Sequence, residues 1–164
     1  MRMSLGAIYR HTQIGWLMLA VLGAVGITGG IQALREGPAD AWWGVAIVAV
    51  SLALVPTLTV IGDDDGLDVR FGLGLIHRRF RWSDIRTSAP VRNSWLTGWG
   101  IRWIGGGWMF NVSGFHAVEL QLENGRIFRI GTDDPGGLHV YIQEQLDRVR
   151  RGKATVSASG THLP

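Results

Sequence analysis

The stretch Ala41–Val60, AWWGVAIVAVSLALVPTLTV, sets the reading of this chain. It carries no charged residue, and at about 1.5 Å per helical residue it would reach about 30 Å, the thickness of a bilayer's hydrocarbon core. A second apolar run, Ile14–Ile31 (IGWLMLAVLGAVGITGGI), lies N-terminal to it. Between them, Gln32–Asp40 is a short connector with Gly37-Pro38 as its turn signal. So short a connector joins antiparallel neighbours. Residues 14–60 are therefore expected to form a two-helix transmembrane hairpin, with spans at about 14–31 and 41–60. Trp42 and Trp43 open the second span where interfacial aromatics belong, and Pro56 marks a kink or the exit from the helix.

Gly26 and Gly30 are four apart, on one face of the first span, a spacing that lets two membrane helices approach closely. The second span is the economical partner for that face, with self-association of two chains as its other use. Residues 1–13 form a short polar leader carrying Arg2, Arg10 and His11. The apolar run behind it exceeds the roughly 7–15 residues of a signal-peptide core and ends without an A-x-A site, so the span is expected to stay uncleaved. Arg35 is alone in the connector, whereas Arg2, Arg10, Arg70, Arg78 and Arg79 flank the pair. The bias of basic residues places both termini in the cytoplasm, in a multi-pass protein of the cytoplasmic (inner) membrane.

From Leu58 onward the texture changes to strands and turns. Leu67, Val69 and Phe71 alternate with Asp68 and Arg70, the signature of a half-buried strand. Val118, Leu120 and Leu122 alternate on one arm of a hairpin, and Ile127 and Ile130 lie on the other. Asn124-Gly125 between the arms fits a type I′ turn with positive φ at both residues. Asp133 or Asp134 can cap a following helix and Pro135 suits its first position; Leu138, Tyr141 or Ile142, Gln145 or Leu146, and Val149 form one side. Residues 152–164 have the small, polar composition of a flexible tail.

Strands closed off by one C-terminal helix, with the pieces DDDGLDVRFGLG, RFRWSDI, GWGIRW, AVELQLENGRIFRIGT and DDPGGL, resemble the bacterial pleckstrin-homology-like (PH-like) domains of small membrane proteins. The resemblance spans roughly Leu58 to Arg151, and residues 61–151 are the expected PH-like domain. It implies a membrane-anchored α+β protein: an antiparallel β-barrel or sandwich capped by a C-terminal helix, with an adaptor-like role. It transfers no ligand, because a dense Lys/Arg strand-loop motif of the phosphoinositide-binding kind is missing. Arg78, Arg79 and Arg81 are spaced as strand residues.

Composition narrows the chemistry. The 164 residues include no Cys, which rules out disulfides, zinc-thiolate sites and a cysteine nucleophile. The net charge of +3 is spread over mixed signs, without the basic block of a nucleic-acid binder. Asp63-Asp64-Asp65-Gly66 lacks the ligand spacing and terminal Glu of a calcium loop. His11, His77, His116, His139 and His162 are scattered. Gly105-Gly106-Gly107 and Gly72-Leu73-Gly74 complete no phosphate or dinucleotide fingerprint, and no G-x-S-x-G elbow occurs. The expected function is non-enzymatic and needs no cofactor: a membrane-anchored binding or scaffolding protein. The alternative is an assembly or stress-response factor that recognises a membrane complex through its spans.

The unusual stretch outside the spans holds Arg92, Trp95, Trp99, Arg102, Trp103 and Trp108. Barrel core and membrane interface both suit such tryptophans. With no linker after Val60, the domain should rest near the headgroups. Arg92, Trp95, Trp99, Arg102 and Trp103 then form the candidate surface for the bilayer, for weak contact with anionic lipid, or for a membrane-protein partner, while Trp82 packs inside.

Overall fold

The structure, a computed structural model, describes residues 9–36, 39–54, 57–94 and 98–159. Its organisation follows from a strand that the sequence disguises as a leader. Tyr9–Ile14 (β1) pairs antiparallel with Thr57–Gly62 (β2), with Tyr9 opposite Gly62 and Ile14 opposite Thr57. Between the two strands the chain makes two helices, α1 (Trp16–Glu36) and α2 (Ala39–Leu54). The helical pair is thus an insertion into a β-hairpin, with Gly15 alone between β1 and α1.

The second apolar stretch divides. Its helix ends at Leu54, and Thr57–Val60, expected to complete a span, is strand. Pro56 has no N–H to continue a helical ladder, and the alternation after it turns Leu58 and Val60 into the core. Among the described residues only α1 is long and apolar enough to cross a membrane, over Met18–Arg35; α2 offers the shorter run Trp42–Leu52. The expectation of two full-length spans is corrected to one.

Three more strands and a turn continue the chain: β3 (Gly66–Phe71), β4 (Ile76–Arg81), a 3-10 turn at Trp82–Asp84, and β5 (Ile85–Arg92). Then come β6 (Gly100–Trp103), β7 (Gly107–Asn111), β8 (His116–Leu122), β9 (Ile127–Gly131) and α3 (Pro135–Ser159). The strands form two sheets, ordered β1-β2-β3-β4 and β5-β8-β9-β7-β6. They do not close into a barrel. Nor are they wholly antiparallel, because β7 lies parallel to β9, with β8 occupying the crossover between them. At the open seam, Ile76, His77 and Arg78 of β4 face Ile101 of β6 and Trp108 of β7 across a cavity of about 220 Å³.

One core joins the sheets. Phe71 meets Phe110 at 5.0 Å between ring centroids, Phe110 meets Phe128 at 4.9 Å, and Phe128 meets Phe80 at 4.6 Å. These tilted contacts link strands of both sheets, the arrangement aromatic rings prefer. Leu138, Tyr141, Ile142 and Leu146 bring one face of α3 into the same core. Asp134 caps that helix, accepting from Gly137 N–H at 2.9 Å. The helix also runs through Gly152 to Ser159, so part of the expected tail is helical; Ala154 and Ala158 favour this. Trp82 is buried as expected, its Nε1–H donating to Asp63 O at 2.8 Å.

The β8–β9 hairpin exists, with a different turn. Asn124 does not adopt positive φ; Gly125 does, at +78°. Gly125 N–H donates to Leu122 O at 3.0 Å, and Asn124 Oδ1 accepts from Arg126 N–H at 3.0 Å. This is a three-residue loop ending in a left-handed glycine rather than a type I′ turn. Strand period also separates Ile127 from Ile130: Phe128 and Ile130 share the core face.

Two stability predictions follow from these contacts. Open space surrounds Gly125, so Gly125→Val acts through backbone strain alone and should lower stability by about 1–2 kcal/mol in denaturant titration. Unchanged stability would contradict the left-handed turn. Tyr9 stacks on Tyr141 at 5.0 Å, and its phenol pKa is pushed up to about 12, first by burial and then by Asp134 and Asp133. The unfolded chain begins to lose this proton near pH 10 while the folded chain retains it. Stability present below pH 10 should therefore fall as pH rises toward about 12. Tyr9→Phe should flatten that alkaline limb in thermal melts; an unaltered limb would assign the loss to other groups.

Candidate functional site

Strand register gives the domain two unlike ends. Ile14 lies opposite Thr57, and Gly72 N–H donates to Thr57 O at 2.8 Å, so the start of α1, the start of β2 and the β3–β4 turn share one end. The second sheet meets them there: Gln13 Nε2 donates to Ser113 O at 3.1 Å, and Ser113 Oγ donates to Ile14 O at 3.4 Å. Asn93 N–H donates to Phe115 O, and Gly100 pairs with Asn111, which brings the end of β5 and the start of β6 to the same place. The opposite end carries Asp63–Asp65, Asp84 and Glu123, tied by Glu123 N–H donating to Asp84 O at 2.9 Å.

At the helical end Trp99 meets α1. With Met18, Val21 and Leu22 it lines an open apolar pocket of about 230 Å³. Those three residues share one helix face, being separated by three and four positions. Positive φ at Gly98 (+63°) and Gly100 (+100°) bends the chain on both sides of Trp99. Arg102 Nε then donates to Trp99 O at 3.3 Å. Arg92 ends β5 at the same end and is exposed. Trp95 lies outside the described residues.

Trp103 belongs elsewhere. It pairs with Trp108 at the other end of β6, about 10 Å of strand away from Gly100. The two rings meet edge-on at 5.6 Å and remain largely exposed. The four described residues of the expected five-residue surface therefore fall into two groups: Arg92, Trp99 and Arg102 at the helical end, with Trp99 against α1, and Trp103 at the far end of β6. Exposed Trp16, Leu73, Leu75 and Phe115 also lie at the helical end. Local sequence conceals this grouping, which arises only when turns from both sheets converge.

Other polar clusters have structural uses. Asp63 accepts from the N–H groups of Asp65 and Gly66 and pairs with Arg79 at 2.8 Å. Ser88 is 5% exposed, its hydroxyl held by His139 Nδ1 at 2.9 Å and Gln143 Nε2 at 3.1 Å. Among the described residues no group of three His, Asp or Glu is placed to hold a metal ion. No protein-family model, characterised protein or solved structure matches the chain.

The helical pair packs through one of the two expected glycines. A Cβ on Gly26 would lie 3.1 Å from Val48 Cγ1, whereas one on Gly30 would meet open space. Gly26→Leu should thus overpack the α1–α2 contact, costing about 1–3 kcal/mol in unfolding of the full chain. Gly30→Leu should stay within about 0.5 kcal/mol of the parent chain or gain from helix propensity. The reverse ranking would show that α1 turns another face to α2.

Proposed function

We propose that this protein is a non-enzymatic binding or scaffolding module of PH-like build, seated by its helical hairpin on the inner face of the cytoplasmic membrane. One observation carries the proposal: both ends of the helical pair join adjacent strands of one sheet, while the helices expose apolar side chains to their surroundings. Only 6% of Met18–Arg35 is buried, far less than a core helix of a water-soluble domain would show. Trp42, Trp43, Ile47 and Val50 are likewise exposed on α2. A bilayer is the environment that makes such surfaces favourable.

The same connectivity argues against a cleaved signal, since removing α1 would strip β1 from its sheet. It also supports one relative topology. A hairpin that leaves and rejoins one sheet returns β1 and the domain to the same side, and the bias of basic residues makes that side cytoplasmic. Although α2 rises only about 24 Å, local bilayer thinning and its paired tryptophans accommodate the shortfall. Trp99 then sits at headgroup depth, with Arg92 and Arg102 near lipid phosphate for a weak anionic-lipid contact. The two-sheet core and capping helix support the PH-like build; the parallel β7–β9 pair departs from it.

The second reading is an assembly or stress-response factor that recognises a membrane complex through its helices. It draws on Gly23, Gly29 and Gly30, where open space would admit another helix closely. Cross-linking of the full chain in membranes separates the two. Loss of partners in Gly30→Leu would favour recognition through the helices, and loss in Trp99→Ala would favour the domain.

Reporter fusions test the anchor. A fusion within Arg35–Pro38 should report the external side, and one after Pro164 the cytoplasm. Cytoplasmic signal from both would show that the hairpin does not cross the membrane and would overturn the spanning anchor.

A further inference from the structure

We infer that the β3–β4 turn is an apolar wedge, with Leu73 and Leu75 inserted into the bilayer beside the hairpin. The inference rests on the membrane-anchor reading above. Leu73 and Leu75 are 76% and 74% exposed, far beyond what their chemistry favours in water. Their exposure is built in. Gly72 (φ +47°) and Gly74 (φ +84°) make a tight turn closed by Gly74 N–H donating to Phe71 O at 2.7 Å. The interior at this point is already filled by Phe71, so the leucines have no core to turn into.

Position supplies the occupant. Ile14, Thr57 and Gly72 stand in one row across the sheet, and α1 begins at Trp16. Two strand spacings, about 10 Å, separate β1 from β3 in that row. The leucines therefore project from the level at which the chain leaves the sheet for the hairpin. Phe115 and Trp99 come to the same end from the other sheet, and Trp99 lines a pocket with α1, so apolar side chains of both sheets share the end from which the hairpin leaves. Behind the leucines, His77 and Arg78 are exposed on β4, at a height suited to phosphate when the tip is among acyl chains. The opposite turns expose aspartates, Glu123 and Asn124. Charge of both signs lies at each end, with Asp133 near Trp16 here and Arg79 and Arg81 beside Asp64 and Asp65 opposite, so the apolar tip is what sets this end apart. With the hairpin as one attachment and the wedge as another, the domain cannot swivel freely about α1.

The sequence contains no Cys, so single-cysteine variants report without background. Leu73→Cys, Val21→Cys and Asn124→Cys in the full chain would each carry an environment-sensitive NBD label. Each would be reconstituted in phosphatidylcholine–phosphatidylglycerol vesicles with and without nitroxide-bearing lipid. NBD on L73C should emit to the blue of NBD on N124C and lose most of its fluorescence to the nitroxide lipid, as on V21C. Quenching on V21C without quenching on L73C would overturn the wedge and leave the anchor standing. A blue-shifted but unquenched L73C label would also overturn it, pointing to coverage by protein. Absence of quenching on V21C would remove the anchor itself, and the wedge with it.

Discussion

The pairing of β1 with β2 is the constraint on which the rest depends. Two strands hydrogen-bonded from Tyr9–Gly62 to Ile14–Thr57 bring the chain into α1 and receive it after α2 at neighbouring strand positions, close to 5 Å apart. Helices pack at about 8–10 Å between axes, so only a small residue at the contact lets the two helices run between such close positions without splaying. Gly26 against Val48 supplies that contact. With one residue between β1 and α1, orientation passes from sheet to helix with little slack.

The same rigidity explains how the domain sorts its surface. Its interior is held by phenylalanines from both sheets and by one face of α3, which leaves the turns to differ at the two ends. Glycines with positive φ shape the turns at Gly72–Gly74 and around Trp99, where apolar side chains are pushed outward. Across the domain, Asp63 closes the β2–β3 turn by accepting from the N–H groups of Asp65 and Gly66 and from Arg79. The open seam between β4 and β6 is guarded differently. His77, Arg78, Arg79 and Arg81 line the β4 edge, and charge of this kind discourages strand-to-strand association.

Much of this was legible in residue order. Alternation at Leu67, Val69 and Phe71 marks a strand with a core face, and Asp134-Pro135 marks a capped helix start. β1 was not legible, because Tyr9, His11 and Gln13 take the inward positions where a pattern search expects aliphatic residues. Tyr9 turns toward Tyr141, and Gln13 is buried through its bond to Ser113. The apolar stretch past Leu54 misled because composition alone does not distinguish the end of a span from a buried strand; Pro56 and the Thr57–Val60 alternation make the distinction. Composition singles out Arg92, Trp99, Arg102 and Trp103 as one group. The separation of Trp103 from the other three depends on strand length and register, which composition does not carry.

Insertion of a helical hairpin into a β-hairpin also couples two processes usually treated apart. β1 and β2 are far apart in sequence, and closing the intervening loop as a flexible chain would cost entropy before any pairing rewarded it. If α1 and α2 form and pack first, the loop becomes a rigid pair whose ends are already adjacent, and β1–β2 pairing becomes nearly local. Conversely, formed strands hold the helix feet together and favour α1–α2 packing. Each element raises the effective concentration of the other's partner, the thermodynamic meaning of linkage between sites. In the membrane reading, insertion of the hairpin is therefore a step in folding the domain, and the domain's sheet in turn helps hold the shorter α2 against α1.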